Sequence, residues 1–190
     1  MKNKLATLLA LSVYIPTAGA HALSTDGAGF IGGLAHPFMG LDHILAMLAV
    51  GLWAVQIGGS ALWRLPLSFI VMMAVAALIG ASGVNLPSVE LLIAASVVCL
   101  GLMLVFAIRL PVNASMGLVG LFAVFHGYAH GLEMPQADSA LYYGGGFVVA
   151  TALLHLTGIA LGKIAYRQQL LSRLSGVMIA IAGLYLITAV

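Results

Sequence analysis

The sequence has very little charge. Seven Lys or Arg and five Asp or Glu make up 6% of 190 residues, where an ordinary soluble domain carries about 25%. With 63% of residues hydrophobic, a soluble fold would have nothing polar to present to water. There is one cysteine, Cys99, in the middle of an apolar run. It excludes an internal disulfide and any cysteine metal cluster, and it reads as a small buried hydrophobe. The sequence shows no basic patch, so no nucleic-acid partner is expected. It also has no Walker-type phosphate loop, so any transport would draw on an existing gradient or on a partner's ATPase. The alternating pattern of a membrane β-barrel is missing too: apolar runs here are about 20 residues long and do not alternate. What remains is an all-α polytopic membrane protein.

The first stretch, "MKNKLATLLALSVYIPTAGAHA", has Lys2 and Lys4 ahead of a short apolar core from Leu5 to Ile15. Small-x-small triplets follow, and the core is too short to span, so residues 1–20 read as a cleaved signal peptide. Cleavage after Ala20 makes His21 the mature N-terminus, and cleavage after Ala22 discards it. Residues 21–190 are then expected to form one domain of six transmembrane helices, at 37–57, 65–83, 89–109, 113–133, 139–162 and 171–189. Each is long enough for a hydrocarbon core of about 30 Å at about 1.5 Å per residue. The connections are short, which predicts antiparallel helices packed beside their sequence neighbours. Phe30 to Ala35 is too short to span and reads as a re-entrant or interfacial lead-in.

With the mature N-terminus outside, Arg64, Arg109, Lys163, Arg167 and Arg173 all fall in cytoplasmic loops or helix ends. Asp26, Glu90, Glu133 and Asp138 fall on the outer side. This satisfies the positive-inside rule, and Trp63, Tyr166, Tyr142 and Tyr143 suit interfacial belts. The expected location is the bacterial cytoplasmic (inner) membrane, multi-pass, with both mature termini on the periplasmic side. Three spans plus three spans would make an inverted-topology pair, although sequence similarity between the halves is weak.

Against this apolar background two motifs stand out, "HPFMGLDH" (36–43) and "FHGYAHGLEMP" (125–135). The topology puts both at the outer side. His126, His130 and Glu133 follow spacings of four and three, so they share one helical face. His36 and His43 are two turns apart and share a face if the segment is helical, with Pro37 as its first helical residue. Asp42 suits a helix N-terminus electrostatically. Ionisable groups in spans cost about 2.5–3.5 kcal/mol at the helix centre. Four histidines and two acids converging on one side therefore need a reason. Imidazole nitrogen with carboxylate oxygen, and no thiolate, is a ligand set for a divalent first-row metal such as Ni²⁺, Co²⁺ or Zn²⁺. Asp42, His43, His130 and Glu133 are the leading ligand candidates. His36 and His126 are ligands or orienting partners.

Glu90 opens the third span as a helix N-terminal acid or as an ion-attracting or metal-ligating group. His155, near the midplane of the fifth span, is a lower way-station for an ion or a structural hydrogen-bonding residue. The pairs Gly127/Gly131 and Gly158/Gly162 allow close helix approach. Gly144-Gly145-Gly146 would add a flexible point, and Met39 and Met134 border the motifs as soft contacts.

The paired motifs, the signal peptide and the six spans resemble the HupE/UreJ family of nickel and cobalt permeases over essentially the whole chain. The resemblance implies uptake of Ni²⁺, in some members Co²⁺, for metalloenzymes such as hydrogenase or urease. It carries His36, Asp42, His43, His126, His130 and Glu133 as the motif residues. The metal would be cargo, with no resident cofactor, and the protein would not be an enzyme. The expected partners are the divalent ion and the lipid bilayer; an oligomeric or metallochaperone partner is left open. Two competing readings are an intramembrane zinc-dependent hydrolase, in which an open coordination position activates water, and a metal sensor or membrane chaperone subunit.

Overall fold

The computed structural model describes residues 29–134, 140–165 and 169–190. The signal-peptide segment with His21, and also Asp26, Asp138, Tyr166 and Arg167, lie outside the described residues. All secondary structure among the described residues is helical. In chain order the helices are α1 (Phe30–Ala35), a 3-10 turn (His36–Phe38), α2 (Leu41–Ile57), α3 (Ala61–Ala81), α4 (Val89–Val105), α5 (Val112–Leu132), α6 (Ala140–Ala165) and α7 (Gln169–Ala189). Four helices are long and apolar enough to cross a membrane: Ala61–Ala81, Val112–Leu132, Ala140–Ala165 and Leu170–Ala189. The α1 segment and α2 pass that test only as a pair, bent by 82°, and α4 is a shorter apolar helix. Large apolar side chains such as Leu78, Leu156 and Met178 cover the outside of the bundle, a surface that suits lipid and not water.

Two expectations about local structure change. The first segment is not one helix from residue 37. Pro37 sits in the 3-10 turn and Gly40 is extended at φ −106°, ψ 123°, so α2 starts only at Leu41. Proline supplies no N–H to an α-helical ladder, and the extended glycine ends the turn. His36 and His43 therefore lie on opposite sides of a sharp bend and share no helical face. The glycine triplet 144–146 is no break either; α6 runs through it. Gly146 instead meets the backbone of Phe30 and Leu34, while Gly33 meets the backbone of Tyr143. Neither position has room for a Cβ, so α1 lies backbone-to-backbone, antiparallel, on α6.

Packing order is the larger correction. The main partners are not sequence neighbours: α2 packs on α6, α3 on α5 and α4 on α7. Glycine decides this more than loop length does. Gly127 lies against Met73, and Gly131 against Ala77 and Ala81. These contacts advance together along both chains, so α3 and α5 are parallel. Gly51 and Gly158 face each other across α2 and α6, with Gly162 against Leu52 and Val55, again in parallel. Gly101, Gly176 and Gly183 bring α4 and α7 together antiparallel. Small residues let backbones approach in this way. Exchanging α2, α3, α4 for α5, α6, α7 maps the α2–α6 pair onto α5–α3 and the α4–α7 pair onto itself. The arrangement is that of two interlocked three-helix halves.

Arg64 donates to Asn113 at 2.9 Å where α3 and α5 begin. Arg109 and Lys163 line a small cavity of 220 Å³ at the same end of the bundle. Both polar motifs lie at the other end.

Candidate metal centre

The bend after α1 gathers the two motifs. The Gly33 and Gly146 contacts lock α1 on α6, and the 3-10 turn then delivers His36 over the end of α5. There His36 Nε2 is 3.1 Å from Glu133 Oε2, and its ring is 4.9 Å, centroid to centroid, from that of His130. His36, His130 and Glu133 each offer one ligand atom, all within 4.8 Å of one another. Three donors about 2.1 Å from one first-row ion lie roughly 3.0–3.6 Å apart, so the widest separation here must close by roughly 1 Å for all three to share one ion.

The cluster continues inward. The His43 ring lies 4.2 Å from His130 and 5.1 Å from His126. The four imidazoles thus form an unbroken series, His36–His130–His43–His126. Side-chain exposure falls from 61% at Glu133 to 26% at His36 and 12% at His43, and His130 and His126 are buried. The series runs from a wet rim into a dry interior.

Each inner histidine has at least one nitrogen left over. Asp42 Oδ1 is 2.6 Å from His43 Nδ1 and also accepts the His43 backbone N–H at 2.8 Å. A carboxylate there holds Nδ1 as the N–H, so Nε2 carries the lone pair, and that atom is buried with no hydrogen-bond partner. His126 follows the same plan. The Ser96 hydroxyl gives its one hydrogen to Ile93 O at 2.6 Å. Towards His126 Nε2, 3.0 Å away, it can only accept. His126 is therefore the Nε2–H tautomer, and its Nδ1 is free and buried. Neither ring nitrogen of His130 has a partner. Leaving a buried acceptor unpaired costs about 1–3 kcal/mol, so an array of them is expensive unless a cation completes it. Metal-binding histidines are commonly oriented by such an outer hydrogen bond.

Outside the helices, the hydrogen bond from His36 holds the Glu133 carboxyl below the usual carboxylate range, against the opposite pull of burial. Glu133 is thus a standing negative charge at the rim.

The remaining candidates are placed as follows. Glu90 is exposed in the first turn of α4 and has no hydrogen bond or ion pair among the described residues. It lies at the same end of the bundle but outside the histidine series. His155 is buried deeper, on α6. Met39 is exposed, and Met134 lines a cleft of 490 Å³ beside His130. Ser96 was not among the sequence candidates. One serine in an apolar helix is ordinary, and only its position opposite His126 gives it a role.

Fold and site together define a helical membrane protein with a histidine–carboxylate cluster sunk into one end of its bundle. The family model described as HupE / UreJ protein matches residues 9–186. Protein HupE of Rhizobium leguminosarum bv. viciae is 42% identical over 184 residues, covering 95% of each chain. No solved structure matches the chain significantly. The chain belongs to the HupE/UreJ family.

Proposed function

We propose that the protein is a secondary permease that takes up a divalent transition metal, Ni²⁺ first and Co²⁺ second, across the inner membrane to supply metalloenzymes such as hydrogenase or urease. The observation that carries this is the unbroken imidazole series with free, buried nitrogens beneath an anionic rim. Family membership supports the same reading. In this reading α2 to α7 are six spans, α1 is a re-entrant lead-in behind a cleaved signal peptide, and both mature termini are periplasmic.

Hydrated cation is drawn in by Glu133 and by the field of Glu90. His36, Glu133 and His130 take the first water molecules off it. His43 and His126 then receive it with nitrogens already aimed by Asp42 and Ser96. Nitrogen and carboxylate ligands suit Ni²⁺ and Co²⁺. An inside-negative potential favours a doubly charged ion by about 4.6 kcal/mol per 100 mV, so no nucleotide is needed. The protein moves its cargo and transforms nothing.

The test is uptake of radioactive nickel into proteoliposomes containing the protein alone, with a potential imposed. Wild type should accumulate nickel, with cobalt competing better than zinc or copper. His130→Ala and Asp42→Ala should each lower the rate at least tenfold at equal protein levels. Intact uptake in both variants would overturn the site.

A further inference from the structure

We propose that the end of the bundle opposite the histidine cluster carries a site for the phosphate of an anionic phospholipid, held between Arg109 and Lys163. The site stands whether or not the uptake reading holds.

The 220 Å³ cavity at that end lies where α2 stops, α3 starts and α6 nears its last turn, and Arg109 and Lys163 both line it. Among the described residues neither cation has a hydrogen-bonded side chain or an ion-pair partner. Arg64, by contrast, is engaged with Asn113. No carboxylate of the described residues can serve the pair. Asp42 and Glu90 open α2 and α4, Glu133 follows α5, and all three lie at the other end. The C-terminal residue Val190 lies there too, because α7 runs antiparallel to α4. Exposed cations need no partner as such. What sets these two apart is that one cavity collects both, with no counter-charge inside the bundle.

One wall of the cavity is fixed in place. Trp53 Nε1 donates to the Ile108 carbonyl oxygen at 2.9 Å, and Gln56 Nε2 donates to it at 3.1 Å and to Met103 O at 3.2 Å. These bonds from α2 grip the turn after α4, in which Ala107 takes a left-handed φ of 50°. The backbone beside Arg109 is thereby held against α2. A guanidinium can present two N–H groups to two phosphate oxygens, and an ammonium adds a mobile point charge.

Depth and lining favour a lipid over a free anion. Ile57 ends α2, Leu62 is the second residue of α3, and Lys163 is two residues from the end of α6. All three lie within about 3 Å of a helix end, the level at which headgroups meet a bundle. Ile57 and Leu62 make apolar walls, and Trp63 and Ile164, next in sequence to Leu62 and Lys163, are exposed. Inorganic phosphate would use the two cations and leave these apolar surfaces bare. A phosphodiester with acyl chains uses both. In the topology proposed above this end faces the cytoplasm, where basic pockets between helices bind acidic headgroups.

The experiment is native mass spectrometry of the purified full-length protein in detergent, with phosphatidylglycerol and phosphatidylcholine added in equal amounts. Wild type should retain one phosphatidylglycerol at least fivefold more often than phosphatidylcholine. The double variant Arg109→Gln, Lys163→Gln should lose that preference. The exchange Arg109→Lys, Lys163→Arg keeps both charges and should hold it within twofold of wild type, as should Arg64→Gln. Melting temperatures in phosphatidylcholine alone should agree among the variants. A rise on adding phosphatidylglycerol should appear only where both cations remain, since a ligand stabilises the state that binds it. Equal retention of the two lipids by wild type, or an unchanged preference in the glutamine double variant, would overturn the site. Inorganic phosphate at the lipid's concentration should displace nothing. Displacement of phosphatidylglycerol by it would assign the cavity to a free anion and overturn the lipid.

Discussion

Ser96 and His126 are joined by a buried hydrogen bond whose direction is set by a third atom, the Ile93 carbonyl oxygen. That bond decides which nitrogen of His126 is left without a partner. Ser96→Ala should leave the imidazole N–H unpaired and free the ring to change tautomer. Nickel affinity should fall about 10–100-fold, the usual effect of removing an orienting partner. Ser96→Thr, which keeps the hydroxyl, should recover most of it. Calorimetry on the three proteins measures this, and equal affinities would refute an orienting role for Ser96.

Asp42 makes a comparable contact with His43, but with a full charge. Asp42→Asn can still accept the His43 Nδ1–H and loses only the carboxylate. Its nickel affinity should drop by roughly tenfold, and Asp42→Ala should lose about 10–100-fold. A loss in Asp42→Asn as large as in Asp42→Ala would mean that charge alone matters there.

The rim has its own pH signature. Glu133 is held below the usual carboxylate range by the hydrogen bond from His36. Any stability it contributes is present at neutral pH and is lost only as pH falls through that lowered value. Imidazoles must be neutral to ligate, so metal and protons compete for them. Nickel binding should therefore weaken as pH falls below neutral, in wild type and in Glu133→Gln alike. Glu133→Gln should bind more weakly at every pH with the midpoint in place. A midpoint that moves by more than half a unit would show Glu133 to be the titrating group.

Gly33 can be tested as the anchor of His36. In Gly33→Val the new side chain meets the backbone of Tyr143, and overpacking of this kind costs about 1–3 kcal/mol. The displaced α1 would carry His36 away from Glu133. Gly33→Val should reproduce the nickel affinity of His36→Ala, and the double variant should be no worse than either. Additive losses would mean that α1 and His36 act separately.

Much of this site was legible in the two motifs. Both lie at one end of the bundle, and His126 and His130 project from one face of α5, as their spacing requires. The bend was not legible. Periodicity sees His36 and His43 two turns apart, whereas an extended Gly40 and a 3-10 turn at Pro37 put them on separate elements. The order of packing was also hidden. Short loops suggest neighbours in sequence, but loops only limit reach. The choice of partner falls to faces where Gly127, Gly131, Gly51 and Gly158 permit contact. Ser96 and Phe69 carry no signal of their own, because each is an ordinary residue until a histidine is placed against it.

The pairing of helices also assigns the polar residues to different bodies. His43 and His155 ride on the parallel pair α2 and α6, while His126, His130 and Phe69 ride on the parallel pair α3 and α5. Every close contact in the series from His130 through His43 and His126 to Phe69 and His155, apart from that between His126 and Phe69, crosses the seam between those pairs. A slide of one pair past the other by a fraction of a helical turn would part His43 from His126 and His130 and move Phe69 off His155 in a single stroke.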